Sequence, residues 1–351
     1  MKNKLLKFAL FSTALLLAAC DTAGDAPADS SNDDDVVDTP VDLSLKLGYG
    51  APHGTQSFAA TFVVMDGETV VDVIIDEFQF MEDGDWDGVP NDDEAFGEGY
   101  GEEFTLISKR ENDEGYSAMM TDIAGSTTSY NDNMDAVQAF AIGKTVAEIE
   151  EAISELDGLG EDDEIADVVS GATFVDTNGY LQAVVDAAND GYEFPVADGV
   201  DVANVELSYS LEAPHGERAF ALVAVLHDGE TVYGAAMDEM QFLSPDDFDG
   251  VPNSEAAFGE KFANDVVLAS KMFNDAAYSA NMSNAGATLS YAENMLAIID
   301  FAVGSTFSSL SDAEDELEEL GEDDPIADVV TGATFVDTKG YLEAISEAAD
   351  K

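Results

Sequence analysis

Cysteine occurs once in 351 residues, tryptophan once and histidine three times, and only 12 residues are lysine or arginine. The single cysteine, Cys20, excludes a disulfide within the chain and any cysteine metal cluster. With so few histidines, a zinc centre or a histidine-based catalytic set is not expected, and no Ser-His-Asp set or phosphate-binding glycine loop is present. Against the 12 basic residues stand 75 acidic ones. Such a surface repels nucleic acid and anionic lipid, so neither is an expected partner. The acidity reads as adaptation to a saline or alkaline habitat, or as attraction of metal ions or a basic protein. Long apolar runs are missing too. The N-terminal run, Phe8–Leu17, is too short to span a bilayer.

That short run has a meaning of its own. Met1–Lys7 is basic, Phe8–Leu17 is apolar, and Leu17-Ala-Ala-Cys20 is a lipobox, the layout of a lipoprotein signal peptide over residues 1–19. Cys20 is then the lipidated residue, and its two or three acyl chains give stable anchoring where one would not. The expected location is the extracellular face of the cell membrane. Lys2, Lys4 and Lys7 leave with the peptide, so nine basic residues against 75 acidic ones give the mature chain a net charge of −66. Residues 20–41, rich in Asp, Ala, Ser and Thr, have almost nothing to bury and predict a disordered, self-repelling tether.

The remainder repeats. Ala51-Pro-His-Gly54 returns as Ala213-Pro-His-Gly216, Asp76-Glu-Phe-Gln-Phe80 as Asp238-Glu-Met-Gln-Phe242, and Asp87-Gly-Val-Pro-Asn91 as Asp249-Gly-Val-Pro-Asn253. Ser108-Lys109 matches Ser270-Lys271, and Tyr116-Ser-Ala118 matches Tyr278-Ser-Ala280. The offset of 162 falls to 161 by Tyr130 and Tyr291. Two domains are expected, 42–190 and 203–351, joined by a linker over 191–202. In each, β-branched and aromatic runs come first: 58–65 and 69–80 predict strands, joined by a hairpin turn at Asp66-Gly67. Helices follow at 131–143 and 145–156, the latter opened by the capping box Thr145-x-x-Glu148. A last helix starts after Asp176-Thr177, and after Asp337-Thr338 in the second copy. Strands first and helices after imply an α+β fold, an antiparallel sheet with packed helices in each of two tandem domains.

One stretch has diverged least. Ile165–Leu181 and Ile326–Leu342 are identical at fifteen of seventeen positions, although the flanking sequence is much less alike. Generic packing does not ask for that. The centre reads Asp-x-x-[Ser/Thr]-Gly-Ala-Thr and resembles the acceptor motif for covalent FMN attachment, known from sodium-pumping quinone reductases and bacterial surface flavoproteins. The resemblance implies FMN phosphate esterified to Thr173 and Thr334, within Ser170-Gly171-Ala172 and Thr331-Gly332-Ala333. The small residues let a phosphate and a modifying enzyme approach the backbone, and the following helix start favours an anion. A Gly-Ala turn repeated because the fold needs it is the alternative.

Other residues have two readings each. His53 and His215 either shape the Pro-His-Gly loop or hydrogen-bond the flavin. Lys109 and Lys271 either sit by the flavin, stabilising its reduced anion, or form salt bridges. Tyr116, Tyr278, Met120 and Met282 either cover the ring or belong to the core. Asp83, Asp85, Asp87 and Glu94 have the spacing of a calcium loop, whereas the second copy has Pro245 and Ala256 at the first and last of these positions; a solvated acidic turn is the alternative.

Taken with the lipobox and tether, the pattern is similar to the two-domain flavin lipoproteins of Gram-positive extracellular electron transfer, a family that includes the pheromone-encoding lipoprotein A. The resemblance implies an electron carrier rather than an enzyme. It implies two covalent FMN groups attached by an FMN transferase, a membrane quinol-oxidising donor, and ferric iron or other external acceptors. In some members the signal peptide yields a pheromone, which nothing in Ala9–Ala19 decides here. The extreme acidity departs from the family. A calcium- or ligand-binding surface lipoprotein with structural repeats is the competing function.

Overall fold

The computed structural model describes residues 43–82, 84–160, 163–321 and 324–351. The lipobox with Cys20, the tether and Asp83 lie outside the described residues. Among those described the fold is α+β, with two antiparallel sheets and eight α-helices. No helix there is long and apolar enough to cross a membrane.

The two foreseen strands are β2 (Ser57–Asp66) and β3 (Thr69–Glu82). They pair from Ser57↔Gln79 to Asp66↔Thr69, which centres the turn on Gly67-Glu68, one residue later than expected. Gly67 sits at φ 59, a left-handed conformation that glycine reaches freely. Strands β1 (Leu43–Gly50) and β4 (Phe104–Ser108), not foreseen, widen this sheet. A fifth strand, β5 (Tyr192–Phe194), pairs with the outer edge of β1. The expected linker is therefore partly sheet: Phe194 is buried, and Val196 bridges to Gly234 in the second sheet. That sheet has the order β6 (Glu206–Glu212), β7 (Ala219–His227), β8 (Val232–Leu243), β9 (Val267–Ser270).

Every residue of β2 except Asp66 is buried, so both of its faces are covered. Phe58, Ala60, Phe62 and Val64 enter one core shared with the second sheet, and Ala59, Val63 and Met65 enter another under the helices. The period of two along a strand produces this division. Between the sheets, Phe62 lies 5.6 Å from Tyr209 and Phe78 5.9 Å from Phe220. Residues 40–351 accordingly form one compact unit.

The foreseen helices are α2 (Tyr130–Ala141), α3 (Val146–Asp157) and α4 (Thr177–Asp190). Thr145 and Glu148 form the expected capping box. Asp176 occupies the N-cap of α4, but its carboxylate does not cap the helix; His53 takes it instead. An unforeseen helix, α1 (Asp113–Ala124), precedes α2 and ends at Gly125, φ 70. The second half carries α5 (Asp275–Asn284), α6 (Tyr291–Ala302), α7 (Phe307–Glu319) and α8 (Thr338–Ala349) in the same succession.

Candidate cofactor site

Between Val169 and α4 the chain turns through Gly171 at φ 94; Gly332 has φ 91. A Cβ at Gly171 would stand 3.2 Å from the Cβ of Ala136, and one at Gly332 the same distance from Ala297. Ala172 and Ala333 are fully buried. At the start of α4, a Cβ on Gly179 would meet the Pro52 carbonyl oxygen at 2.4 Å. Packing thus explains much of the seventeen-residue run, including Val169, Thr177, Tyr180 and Leu181, all buried. It does not explain Thr173 or Val175, which are exposed. Val175 and Val336 are 82% and 84% exposed, yet identical in the two copies.

Thr173 is exposed but held. Its N–H and its hydroxyl both donate to Asn133 Oδ1, at 2.7 and 3.0 Å. Thr334 repeats this with Asn294, at 2.7 and 2.9 Å. Asn133 is fully buried on α2, and its Nδ2 donates to the Ser129 carbonyl at 2.8 Å, which turns the amide oxygen toward the threonine. An amide oxygen takes no proton at neutral pH, so Asn133 orients this threonine without acting as a base toward it.

Beside Thr173 opens a cavity of about 470 Å³, within the range of about 300–1,000 Å³ usual for cofactor sites. His53, Lys109, Tyr116 and Met120 line it together with Thr173. Residues far apart in sequence therefore meet in one place. Phe174, Tyr130 and Tyr180 add aromatic wall, and the exposed Ile123 and Val175 form an apolar lip. Ser170, Gly171 and Ala172 support the threonine from the turn and do not line the cavity.

Lys109 borders the cavity while engaged in a buried ion pair: its Nζ lies 2.8 Å from Glu77 Oε2, both side chains at most 1% exposed. Lys271 pairs with Glu239 at 2.9 Å. The salt-bridge reading is thus realised for both lysines. Burial pulls the Lys109 ammonium down, but Glu77 outweighs it and holds it above its ordinary value. Burial likewise raises Glu77, and Lys109 together with hydrogen bonds from Ser57 and Tyr180 more than offsets that, leaving it below its ordinary value. The Tyr180 hydroxyl donates to Glu77 at 2.6 Å. Burial first and Glu77 second push Tyr130 and Tyr180 well above a normal phenol, so both remain donors. The Lys109 ammonium stands 4.8 Å from the centre of the Tyr116 ring. Tyr116 and Met120 thus belong to core and cavity wall at once.

His53 Nδ1 lies 2.9 Å from Asp176 Oδ2, and His215 is 2.9 Å from Asp337. In the second half Lys271 stands 4.9 Å from the Tyr278 ring, Tyr291 packs 5.8 Å from Phe335, and Met282 rests against the same core.

Comparison of the chain with protein-family models, curated proteins and solved structures gives no match.

The remaining candidates do not converge. Asp85, Asp87 and Glu94 are exposed, and among the described residues no group of three or more His, Cys, Asp or Glu side chains is placed to hold a metal ion. Asp87 instead donates its N–H to Asn112 Oδ1 at 2.9 Å, as Asp249 does to Asn274 at 2.8 Å. Sequence reasoning missed Asn133 and Asn294, Glu77 and Glu239, and the helix-cap aspartates as partners of the histidines. A signal existed: Tyr130-x-x-Asn133-Met134 returns as Tyr291-x-x-Asn294-Met295.

Proposed function

We propose that the chain is a membrane-anchored electron carrier of two tandem domains, with FMN joined by phosphoester bonds to Thr173 and Thr334. The observation that carries this is the exposed Thr173, its hydroxyl held by Asn133, at the lip of a cavity walled by aromatic residues and bordered by Lys109. The residues suit the group. The threonine offers an attachment oxygen, the apolar lip and tyrosines suit a flat heteroaromatic ring, and the Lys109–Glu77 ion pair borders the cavity. FMN, when bound, supplies electron transfer in one- and two-electron steps. The chain's residues hold and orient it: Asn133 fixes the loop through the Thr173 N–H even after the hydroxyl proton is lost, and covalent attachment prevents escape outside the cell.

An FMN transferase makes the bond from an activated flavin phosphoanhydride donor, the threonine oxygen displacing the donor's other phosphate, which leaves with the hydroxyl proton; a quinol-oxidising membrane protein delivers electrons, and ferric iron or other external acceptors receive them. Cys20 carries the lipid anchor, on the extracellular face. Intact mass of protein produced with an FMN transferase is the test. Two flavinyl additions are expected, one in Thr173→Ala or Thr334→Ala and none in the double variant. An unchanged mass in both single variants would overturn the assignment.

A further inference from the structure

The two halves interlock at one reciprocal contact. Asn91 closes the Asp87-Gly-Val-Pro-Asn91 element in a left-handed conformation, φ 68, and Asn253 closes its counterpart at φ 66. Neither side-chain amide serves its own half. Asn91 Nδ2 donates to the carbonyls of Gly216 and Ala219, both at 2.7 Å. Asn253 Nδ2 donates to those of Gly54 and Ser57, at 2.9 and 2.6 Å. Backbone bonds reinforce each clasp: the Phe96 N–H donates to Glu217 O at 2.8 Å, and the Phe258 N–H to Thr55 O at 2.9 Å.

The clasped segments follow the site histidines. Gly54 comes directly after His53, whose ring holds Asp176 at the start of α4, three residues past Thr173. Gly216 comes after His215, which holds Asp337 three residues past Thr334. Ser57, at the end of the first clasp, also donates to Glu77 beneath Lys109. Two carbonyls three residues apart are thereby fixed by one amide, and the histidine lies immediately before the first of them. Asparagine suits the task because it tolerates φ > 0 and brings two N–H donors to adjacent carbonyls.

We infer that Asn91 and Asn253 are positioning residues acting across the molecule: Asn253 sets the His53 loop of the first site, and Asn91 sets the His215 loop of the second. Neither half then builds a complete site alone. A perturbation of one Val-Pro-Asn element is felt at the opposite threonine before its own. The geometry stands without a cofactor; its consequence for flavin attachment rests on the proposed function.

Three histidines make the test direct. Imidazole NMR resonances of His53, His215 and His227, assigned by single His→Gln variants, are compared in the whole chain carrying Asn91→Gly or Asn253→Gly. Glycine keeps the left-handed backbone and removes only the amide; Asn91→Ala and Asn253→Ala add the backbone strain. Asn91→Gly should shift His215 by more than a linewidth and leave His53 in place, with Asn253→Gly doing the reverse. His227, held within its own half by Ser208 and the Gly229 N–H, is the control. Movement of the histidine in the same half, of both equally, or of neither overturns the inference. Peptide mapping after flavin loading gives a second measurement: Asn91→Gly should lower the flavinylated fraction at Thr334 several-fold while Thr173 stays fully modified. A wild-type chain without flavin would sink the proposed function while the NMR result still decides the clasp.

Discussion

At the base of the first cavity, Glu77 is surrounded by donors. Ser57 donates to one oxygen, and Lys109 and Tyr180 to the other. The second half differs by one atom of consequence. Ala219 stands where Ser57 would be, and among the described residues Glu239 Oε1 has no hydrogen-bond partner, while Lys271, Tyr291 and Tyr341 all donate to Oε2. A buried acceptor without a donor is destabilising, by about 1–3 kcal/mol. Ala219→Ser should therefore raise stability by about 1 kcal/mol and Ser57→Ala should lower it by about 1–3 kcal/mol, read from denaturant midpoints at constant slope. A loss in the first variant together with no change in the second would show that the hydroxyl is immaterial. Removing the cation is a larger insult. Lys109→Met leaves Glu77 buried and unpaired and should cost about 3–5 kcal/mol. Combining it with Glu77→Gln should restore part of that loss, which a generic packing defect would not allow.

At the scale of the element, β3 and β8 each carry adjacent acids that point opposite ways. Glu77 faces α4 through Tyr180, and Asp76 faces the other sheet, where Tyr209 donates to it at 3.1 Å. Asp238 receives the Tyr49 hydroxyl at 2.8 Å in the matching crossing. Burial pushes Asp76 and Asp238 each up to about 6. A carboxyl raised in the folded state stabilises it fully below its unfolded value near 4, and that stabilisation is lost as pH rises through about 6. Glu77, lowered in the folded state, acts in the opposite sense and withdraws its stabilisation only as pH falls below the ordinary glutamate range. Thermal midpoints in high salt should thus be higher at pH 5 than at pH 7.5. Burial also raises Glu111 to about 7, in the same sense, so the double variant Asp76→Asn, Asp238→Asn should shrink that difference without abolishing it, because the amide, like the protonated acid, is neutral. An unchanged pH slope would refute the assignment.

Charge governs the whole molecule. A net charge of −63 over 351 residues makes the compact state self-repelling. The screening length falls from about 10 Å at 0.1 M salt to about 3 Å at 1 M. The melting midpoint should climb steadily across that range, in one transition, because the halves share a core. A midpoint indifferent to salt would show that the acidity is not opposed by folding, and two separated transitions would contradict the shared core.

The chain by itself determined a good deal. The β-branched and aromatic runs at 58–65 and 69–80, with a tight turn between them, were enough for the central hairpin. Thr145-x-x-Glu148 was enough for the start of α3, because a cap is a local bond. Comparison of the two copies singled out Thr173 and Thr334. The tertiary structure decided what lies between distant residues. Strands β1 and β4 became strands because β2 and β3 offered them edges. Asp176 left its helix for His53, which only folding brings near. Residues 192–194 of the expected linker became a strand because Phe194 finds a core there, and no local pattern encodes where that core will be. Above all, Asn133 beneath Thr173 and Asn253 behind His53 are contacts across 40 and about 200 residues. Their selection depends on the packed arrangement of both sheets, and a sequence records such a contact only as one more asparagine.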